Sequence, residues 1–141
     1  MTKVKFEVPG KPVGKQRPRL SYRYGHAMAY TPQKTKDYES LVRRAYLENE
    51  VYRDNYTGAV GIKVNVKNTP PPSTPQERKE RLIKGEYKMT KPDLDNVLKS
   101  ILDGLNGIAF KDDNQVVEIS ANKKYGKKDL VQIELIYFDK E

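Results

Sequence analysis

The chain has 141 residues, with 27 Lys and Arg against 19 Asp and Glu, and therefore a formal net charge of +8. The absence of cysteine excludes disulfides, thiol catalysis and thiolate zinc sites, and the single histidine, His26, argues against His-rich metal sites. Because the sequence has no signal-peptide pattern and no run of about 18 apolar residues, we expect a cytoplasmic protein without membrane contact.

The first predicted elements are a strand, a loop and a helix. Residues 3–8 alternate apolar and polar side chains, which predicts a half-buried strand. Residues 9–31 are rich in Pro and Gly, so we expect an irregular loop there. The pair Thr31 and Pro32 is typical of a helix start, with Thr31 as the cap, and the apolar spacing that follows predicts a helix to about Glu50.

The charges in this first segment are all positive, since no acidic residue lies between Glu7 and Asp37. Lysine and arginine neutralise phosphates, and tyrosine rings stack on exposed bases, so this composition suits a nucleic acid. The candidate DNA-binding residues are Lys15, Arg17, Arg19, Tyr22 and Arg23. The alternative is a solvated loop whose charges only aid solubility.

The middle of the chain has one clear strand pattern, followed by a Pro-rich segment and two weaker patterns. Residues 59–66 alternate apolar and polar positions and predict a second strand. The Pro-rich segment 69–76 predicts a stiff extended or disordered linker. After it, residues 76–84 favour a short charged helix and residues 86–91 a short strand.

A third helix is predicted from Asn96 to Asn106, with Asp95 as its cap and Gly107 as its stop. Its apolar stripe consists of Val97, Leu98, Ile101, Leu102 and Leu105. This spacing indicates one face packed on a core and an opposite polar face that carries Lys99.

The last two elements are predicted strands at residues 116–124 and 130–138, joined as a hairpin through residues 125–128. The lysines around this turn are more typical of a strand edge than of a binding site. The order of elements predicts an α+β fold, in which residues 1–141 form one small domain with a mixed sheet packed by two main helices.

Two carboxylates, Asp93 and Asp95, stand at positions i and i+2 just before the third helix. In an extended backbone such side chains point to the same side, and two converging carboxylates suit a hard divalent cation such as Mg²⁺. Lys99, one turn later, would face a phosphate at the same place. The alternative is structural: Asp95 caps the helix, Asp93 belongs to a turn, and Lys99 pairs with Asp103.

A second acidic pair, Asp112 and Asp113, directly precedes a predicted strand. A carboxylate there is well placed to complete a metal site from across the sheet. Turn chemistry explains the same two residues almost as well.

Taken together, these segments resemble the RusA-like Holliday junction resolvases, a family of small, often prophage-borne, metal-dependent endodeoxyribonucleases. The resemblance spans nearly the whole chain. It is carried by residues Gly10–Arg19, Tyr30–Pro32 with Thr35, Tyr38 and Glu39, Lys91–Asn106, and Phe110–Val116. The spacing D-x-D-N-x-x-K with a downstream D-D-x-Q-V is its most specific part.

The resemblance implies catalysis by Asp93 and Asp95, with Asp113 as the third metal-binding aspartate and Lys99 as an essential lysine. It also implies a small mixed α/β domain that forms a homodimer, a Mg²⁺ or Mn²⁺ ion, and no organic cofactor. The expected substrate is branched DNA, such as a four-way junction, and the expected role is in DNA recombination and repair. A rival hypothesis of another class is a non-catalytic basic module that binds DNA or RNA.

Overall fold

In the computed structural model, which describes residues 1–138, a four-stranded sheet packs one apolar face against two helices. The strands are β1 (Thr2–Pro9), β2 (Arg19–Arg23), β3 (His26–Tyr30), β4 (Val60–Asn68), β5 (Val116–Tyr125) and β6 (Leu130–Tyr137). The helices are α1 (Gln33–Asn49), α2 (Gln76–Ile83) and α3 (Leu94–Leu105), and a 3₁₀ turn covers Asp113–Gln115. The predicted α+β class, mixed sheet and two main helices are confirmed.

The sheet has the order β1-β6-β4-β5, in which β4 and β5 are parallel and the other neighbours antiparallel. The predicted hairpin between the last two strands is therefore wrong, because β4 lies between them. The alternate positions of β4 are fully buried, and a strand this apolar is best placed between two others. The connection instead crosses the end of β4, where the Gly126 N–H donates to the Asn68 carbonyl at 2.9 Å.

The core lies between the sheet and the helices α1 and α3. It contains the alternate side chains of β1 and β4 together with the predicted stripe of α3, in which Val97, Ile101 and Leu105 are fully buried. Helix α3 ends at Leu105, and Gly107 follows with φ +81°, the left-handed conformation that terminates helices. The predicted stop is thus confirmed.

Three local predictions differ from the structure. Residues 19–30 of the expected loop form a β-hairpin, because Tyr24 and Gly25 both adopt positive φ and make a two-residue turn. Pro32, rather than Thr31, occupies the cap position of α1. Residues 86–91 form only an isolated bridge between Tyr87 and Lys124, and the apolar side chains of this segment, Tyr87 and Met89, stay exposed instead of packing as a strand face.

Outside these elements, the Pro-rich residues 69–75 form neither helix nor strand. Within residues 1–138, no helix is both long and apolar enough to span a bilayer.

Gly104 allows the close crossing of the two main helices. A Cβ atom there would lie 3.0 Å from both the Glu39 carbonyl oxygen and the Val42 Cβ atom. We expect Gly104→Ala to lower the free energy of unfolding by about 1–3 kcal/mol through overpacking, despite the better helix propensity of alanine. Urea unfolding measures this, with Ser40→Ala at an exposed position of α1 as the control. A Gly104→Ala variant as stable as the control would show that the crossing tolerates a methyl group.

Candidate active site

The N-terminus of α3 presents two carboxylates that make neither an ion pair nor a capping hydrogen bond within the described residues. Asp93 occupies the cap position, where its extended backbone carbonyl accepts the Val97 N–H at 3.1 Å, yet its side chain makes no capping hydrogen bond. Asp95 lies in the first helical turn, so the prediction that Asp95 caps the helix is wrong. The helix starts earlier because Leu94 already adopts the helical conformation and packs against the core.

Both carboxylates are exposed, and neither has a cationic side chain within 4 Å among residues 1–138. They stand at a helix end whose free N–H groups and dipole favour anions such as phosphate. In the structural alternative, Asp95 caps the helix and Asp93 belongs to a turn. Neither role explains these carboxylates, because Asp93 occupies the cap position and no side chain makes a capping hydrogen bond there.

Lys99 is exposed on α3, one turn after Asp95. In the structural alternative Lys99 pairs with Asp103, but the Asp103 carboxylate lies 2.9 Å from the Lys15 ammonium instead. Within the described residues Lys99 forms no ion pair with a side chain closer than 4 Å. Its charge is therefore available to a ligand.

Lys15 is the anchor of the basic loop. Its ammonium lies 2.8 Å from Glu39 of α1 and 2.9 Å from Asp103 of α3, and its backbone N–H donates to the Asn96 carbonyl at 2.8 Å. Burial lowers the pKa of Lys15, but the hydrogen bonds and charges of the two carboxylates outweigh this, so that the pKa lies above its ordinary value. Just before it, Gly14 leaves only 3.1 Å between a potential Cβ atom and the Asn96 Cβ atom. The loop therefore lies directly against the start of α3.

Lysines also hold the segment that leads into Asp93. The Lys123 ammonium of β5 donates to the carbonyls of Thr90 at 2.6 Å and Pro92 at 2.7 Å. Lys88 donates to the Thr90 hydroxyl at 2.8 Å and to the Lys91 carbonyl. Lys123, which the sequence placed among ordinary turn lysines, thus positions the backbone beside the candidate site.

The two residues of the downstream acidic pair differ in their contacts. Asp112 caps the 3₁₀ turn in a reciprocal arrangement with Gln115, whose side chain accepts the Asp112 N–H at 2.9 Å. Gln115 also donates to the carbonyls of Tyr56 and Gly58 at 2.8 and 3.0 Å. Asp113 is exposed, and partial desolvation, a hydrogen bond with Asp112 and repulsion from Asp112 and Asp103 raise the pKa of its carboxyl. The role of Gln115 was missed, although the Asp-x-x-Gln spacing is the sequence pattern of such a capping box.

The donor set suits a hard divalent cation. Asp93, Asp95 and Asp113 offer only carboxylate oxygens, all exposed, and Mg²⁺ usually takes only one or two protein carboxylates and keeps several waters. In residues 1–138 the side chains do not form a group of three or more acidic or histidine residues close enough to hold a metal ion. The structure thus brings Asp93 and Asp95 to one helix end and leaves Asp113 on a separate turn.

A basic groove of about 670 Å³ adjoins this helix end. Its walls include the loop before Lys15, the Pro-rich segment and Pro92, the residue next to Asp93. Four lysines line it, namely Lys11, Lys34, Lys88 and Lys91, against one acidic residue, Asp129. Such a groove attracts a polyanion and leads it toward the carboxylates.

The other candidate DNA-binding residues lie beyond the groove. Arg17 is exposed in the loop, and Arg19, Tyr22 and Arg23 are exposed on the hairpin of β2 and β3. In the part of the chain that the structure describes, the three arginines form no ion pair. Lys15 differs from them, because its ammonium pairs with Glu39 and Asp103.

Comparison with known proteins shows which family the chain is similar to. Residues 9–136 match the family described as Endodeoxyribonuclease RusA, so the match covers nearly the whole chain and includes the basic loop, α3 and the acidic turn. The chain is also 35% identical over 136 residues to the "Uncharacterized protein YqaN" of Bacillus subtilis (strain 168), which covers 92% of this chain and 93% of that protein. The chain therefore belongs to the RusA endodeoxyribonuclease family, the RusA-like Holliday junction resolvases.

Proposed function

We propose that this protein is a Mg²⁺- or Mn²⁺-dependent endonuclease that hydrolyses phosphodiester bonds in branched DNA during recombination and repair. The observation that carries the proposal is the pair of exposed carboxylates, Asp93 and Asp95, which make no capping hydrogen bond at the N-terminus of α3. They face solvent beside a basic groove in a protein whose net charge is +8.

The proposed roles follow from the chemistry of each side chain. Asp93 and Asp95 would hold the cation, with Asp113 as the third carboxylate that the family resemblance implies. When bound, such an ion lowers the pKa of a coordinated water and polarises a phosphoryl oxygen. Lys99 would stabilise the charge that develops on the phosphate, and the helix N-terminus would orient the phosphate.

The groove and the basic loop would bind the DNA backbone, the loop through Arg17 and Arg19 with Tyr22 and Arg23 beyond them, whereas Lys15 of the same predicted set already has Glu39 and Asp103 as partners. The ion pairs of Lys15 add a positioning role, because they hold the loop against α3. A four-way junction is two-fold symmetric, so paired cuts are naturally made by a homodimer with one site in each subunit. We place this activity in the cytoplasm, where the DNA is accessible.

The rival hypothesis is a basic DNA- or RNA-binding module without catalysis. Incubation of an end-labelled four-way junction with the protein, in Mg²⁺ and separately in EDTA, distinguishes the two. We expect cleavage in Mg²⁺ and intact, bound junction in EDTA. Binding without cleavage in Mg²⁺ and Mn²⁺ would support the rival.

Asp93→Asn and Asp95→Asn should each abolish junction cleavage while keeping or tightening junction binding, because each removes one negative charge where the cation sits. Gel assays of cleavage and binding measure both effects. Asp113→Asn should behave likewise, whereas Asp112→Asn is the matched control, since asparagine can still cap the 3₁₀ turn. Normal cleavage by both α3 variants would refute the site, and an inactive Asp112→Asn beside an active Asp113→Asn would reverse the assignment within that pair.

Lys99→Ala should lower the single-turnover cleavage rate by about 10²-fold or more, as loss of other preorganised electrostatic groups does. Folding and junction affinity should stay close to those of the parent, because Lys99 makes no ion pair in the described chain. Lys63→Ala, an exposed lysine of β4 on the polar face of the sheet, is the control. A Lys99→Ala rate within about threefold of the parent, a barrier change below about 1 kcal/mol, would remove Lys99 from the site.

The double variant Arg17→Ala/Arg19→Ala should weaken binding to DNA of any sequence. The slope of log K against log salt should become shallower by about 0.9 for each lost phosphate contact on duplex DNA. Fluorescence anisotropy across a salt series measures the slope. Lys3→Ala/Lys5→Ala removes the same charge from β1 and is the control. Equal slopes for the two double variants would show that the arginines do not contact phosphates.

A further inference from the structure

The hairpin of β2 and β3, which we call the arm, is unusual in having almost no burial. Its strands pair with each other over five residue pairs, and nine of its ten strand residues are exposed, Ser21 being half-buried. A two-stranded hairpin is marginally stable on its own in water. An element of this kind gains order by lying against a ligand.

The two faces of the arm differ in chemistry. Paired residues share a face, so one face carries Leu20 opposite Ala29 and Tyr22 opposite Ala27, and has no charged group and no polar group except the Tyr22 hydroxyl. The other face carries cationic and aromatic groups, namely Arg19 opposite Tyr30 and Arg23 opposite His26, with Ser21 and Met28 between them. A ribbon with one cationic and one apolar face matches a ligand that has phosphates on its outside and flat apolar rings within.

The tip of the arm is the clearest signal. Tyr24 has φ +53° and is followed by Gly25 at φ +77°, so both central residues of the turn are left-handed. Glycine or asparagine is the usual residue at the first position, and a tyrosine there is strained. Tyr24 is 97% exposed, so the fold gains nothing from burying its ring. Strain at an exposed aromatic residue points to a function outside the fold.

Charge and length fit DNA as the occupant. No acidic residue lies between Glu7 and Asp37, so nothing on the arm repels a phosphate. The five residue steps from Arg19 to Tyr24 span about 17 Å at the usual rise of a strand. A two-stranded ribbon enters a DNA groove, and its side chains can be inserted between bases. The arm can therefore carry its tip from the backbone to the bases.

We propose that the arm recognises the branch point of the DNA, with the Tyr24 ring stacked on a base that the branch leaves uncovered. This inference rests on the proposed function, since it names how the same protein selects a branched substrate. In continuous duplex both faces of each base are covered by neighbours, whereas the base pairs that meet at a branch expose faces on which an aromatic ring stacks. Tyr24 is then a specificity residue, and Arg19 and Arg23 hold the phosphates beside it.

The test measures binding rather than cleavage. Full-length protein is titrated in EDTA into a fluorescent four-way junction and into a linear duplex of the same sequence. Tyr24→Asn removes the ring but suits the turn, so the arm keeps its shape. We expect it to reduce the preference for the junction by roughly 5- to 150-fold, the range for loss of one stacked base, with duplex affinity within about twofold. Tyr24→Phe should keep the preference, and Tyr52→Asn, another exposed tyrosine, is the matched control.

A second readout places the ring directly. The fluorescence of 2-aminopurine at the branch should change on binding of the parent and of Tyr24→Phe, but not of Tyr24→Asn. An unchanged junction preference in Tyr24→Asn, an equal loss for junction and duplex, or a parent without any preference would each overturn the proposal. If Tyr24→Asn differs from the parent in oligomeric state on sedimentation, the arm forms a contact between subunits instead. A parent that prefers the junction in EDTA but cuts nothing in Mg²⁺ would refute the proposed endonuclease and leave branch recognition standing.

Discussion

The ammonium group of Lys15, held between Glu39 of α1 and Asp103 of α3, joins the basic loop to the two main helices. The three groups are partly buried, so their attraction is stronger than in open water, and removing the Lys15 ammonium would leave two neighbouring carboxylates without a cation. The raised pKa of Lys15 means that the ammonium stays charged through the physiological range. The position of the loop relative to α3, and with it the shape of the candidate site, depends on this contact.

From this anchor the site extends in two directions. On one side Lys123 of β5 holds the carbonyls of Thr90 and Pro92, which fixes the approach to Asp93. On the other side the loop continues through Arg17 into the arm of β2 and β3. The carboxylates at the helix end thus lie between two cationic regions. A basic surface attracts the DNA backbone, and the two carboxylates at the start of α3 are where the proposed divalent cation would bind.

Periodic patterns in the sequence were sufficient for the elements but not for their pairing. Alternation identified β1 and β4, and the stripe of α3 matched its buried face. The prediction of a hairpin between β5 and β6 was wrong because a turn sequence does not show that another strand, β4, lies between the two. The arm was missed because Pro and Gly nearby favoured an irregular loop, although Tyr24 and Gly25 do form a tight turn. For the site, the acidic residues could be found by spacing, whereas the partners of Lys15 lie far away in sequence and only the fold brings them together.

In the proposed site, Asp93 and Asp95 hold a divalent cation. Electron paramagnetic resonance of free Mn²⁺, titrated with the protein, counts bound ions without any need for DNA or turnover. We expect the parent chain to bind Mn²⁺ in competition with Mg²⁺, and Asp93→Asn/Asp95→Asn to lose this binding while remaining folded. Equal Mn²⁺ binding by the parent and the folded double variant would show that these two carboxylates do not hold the ion.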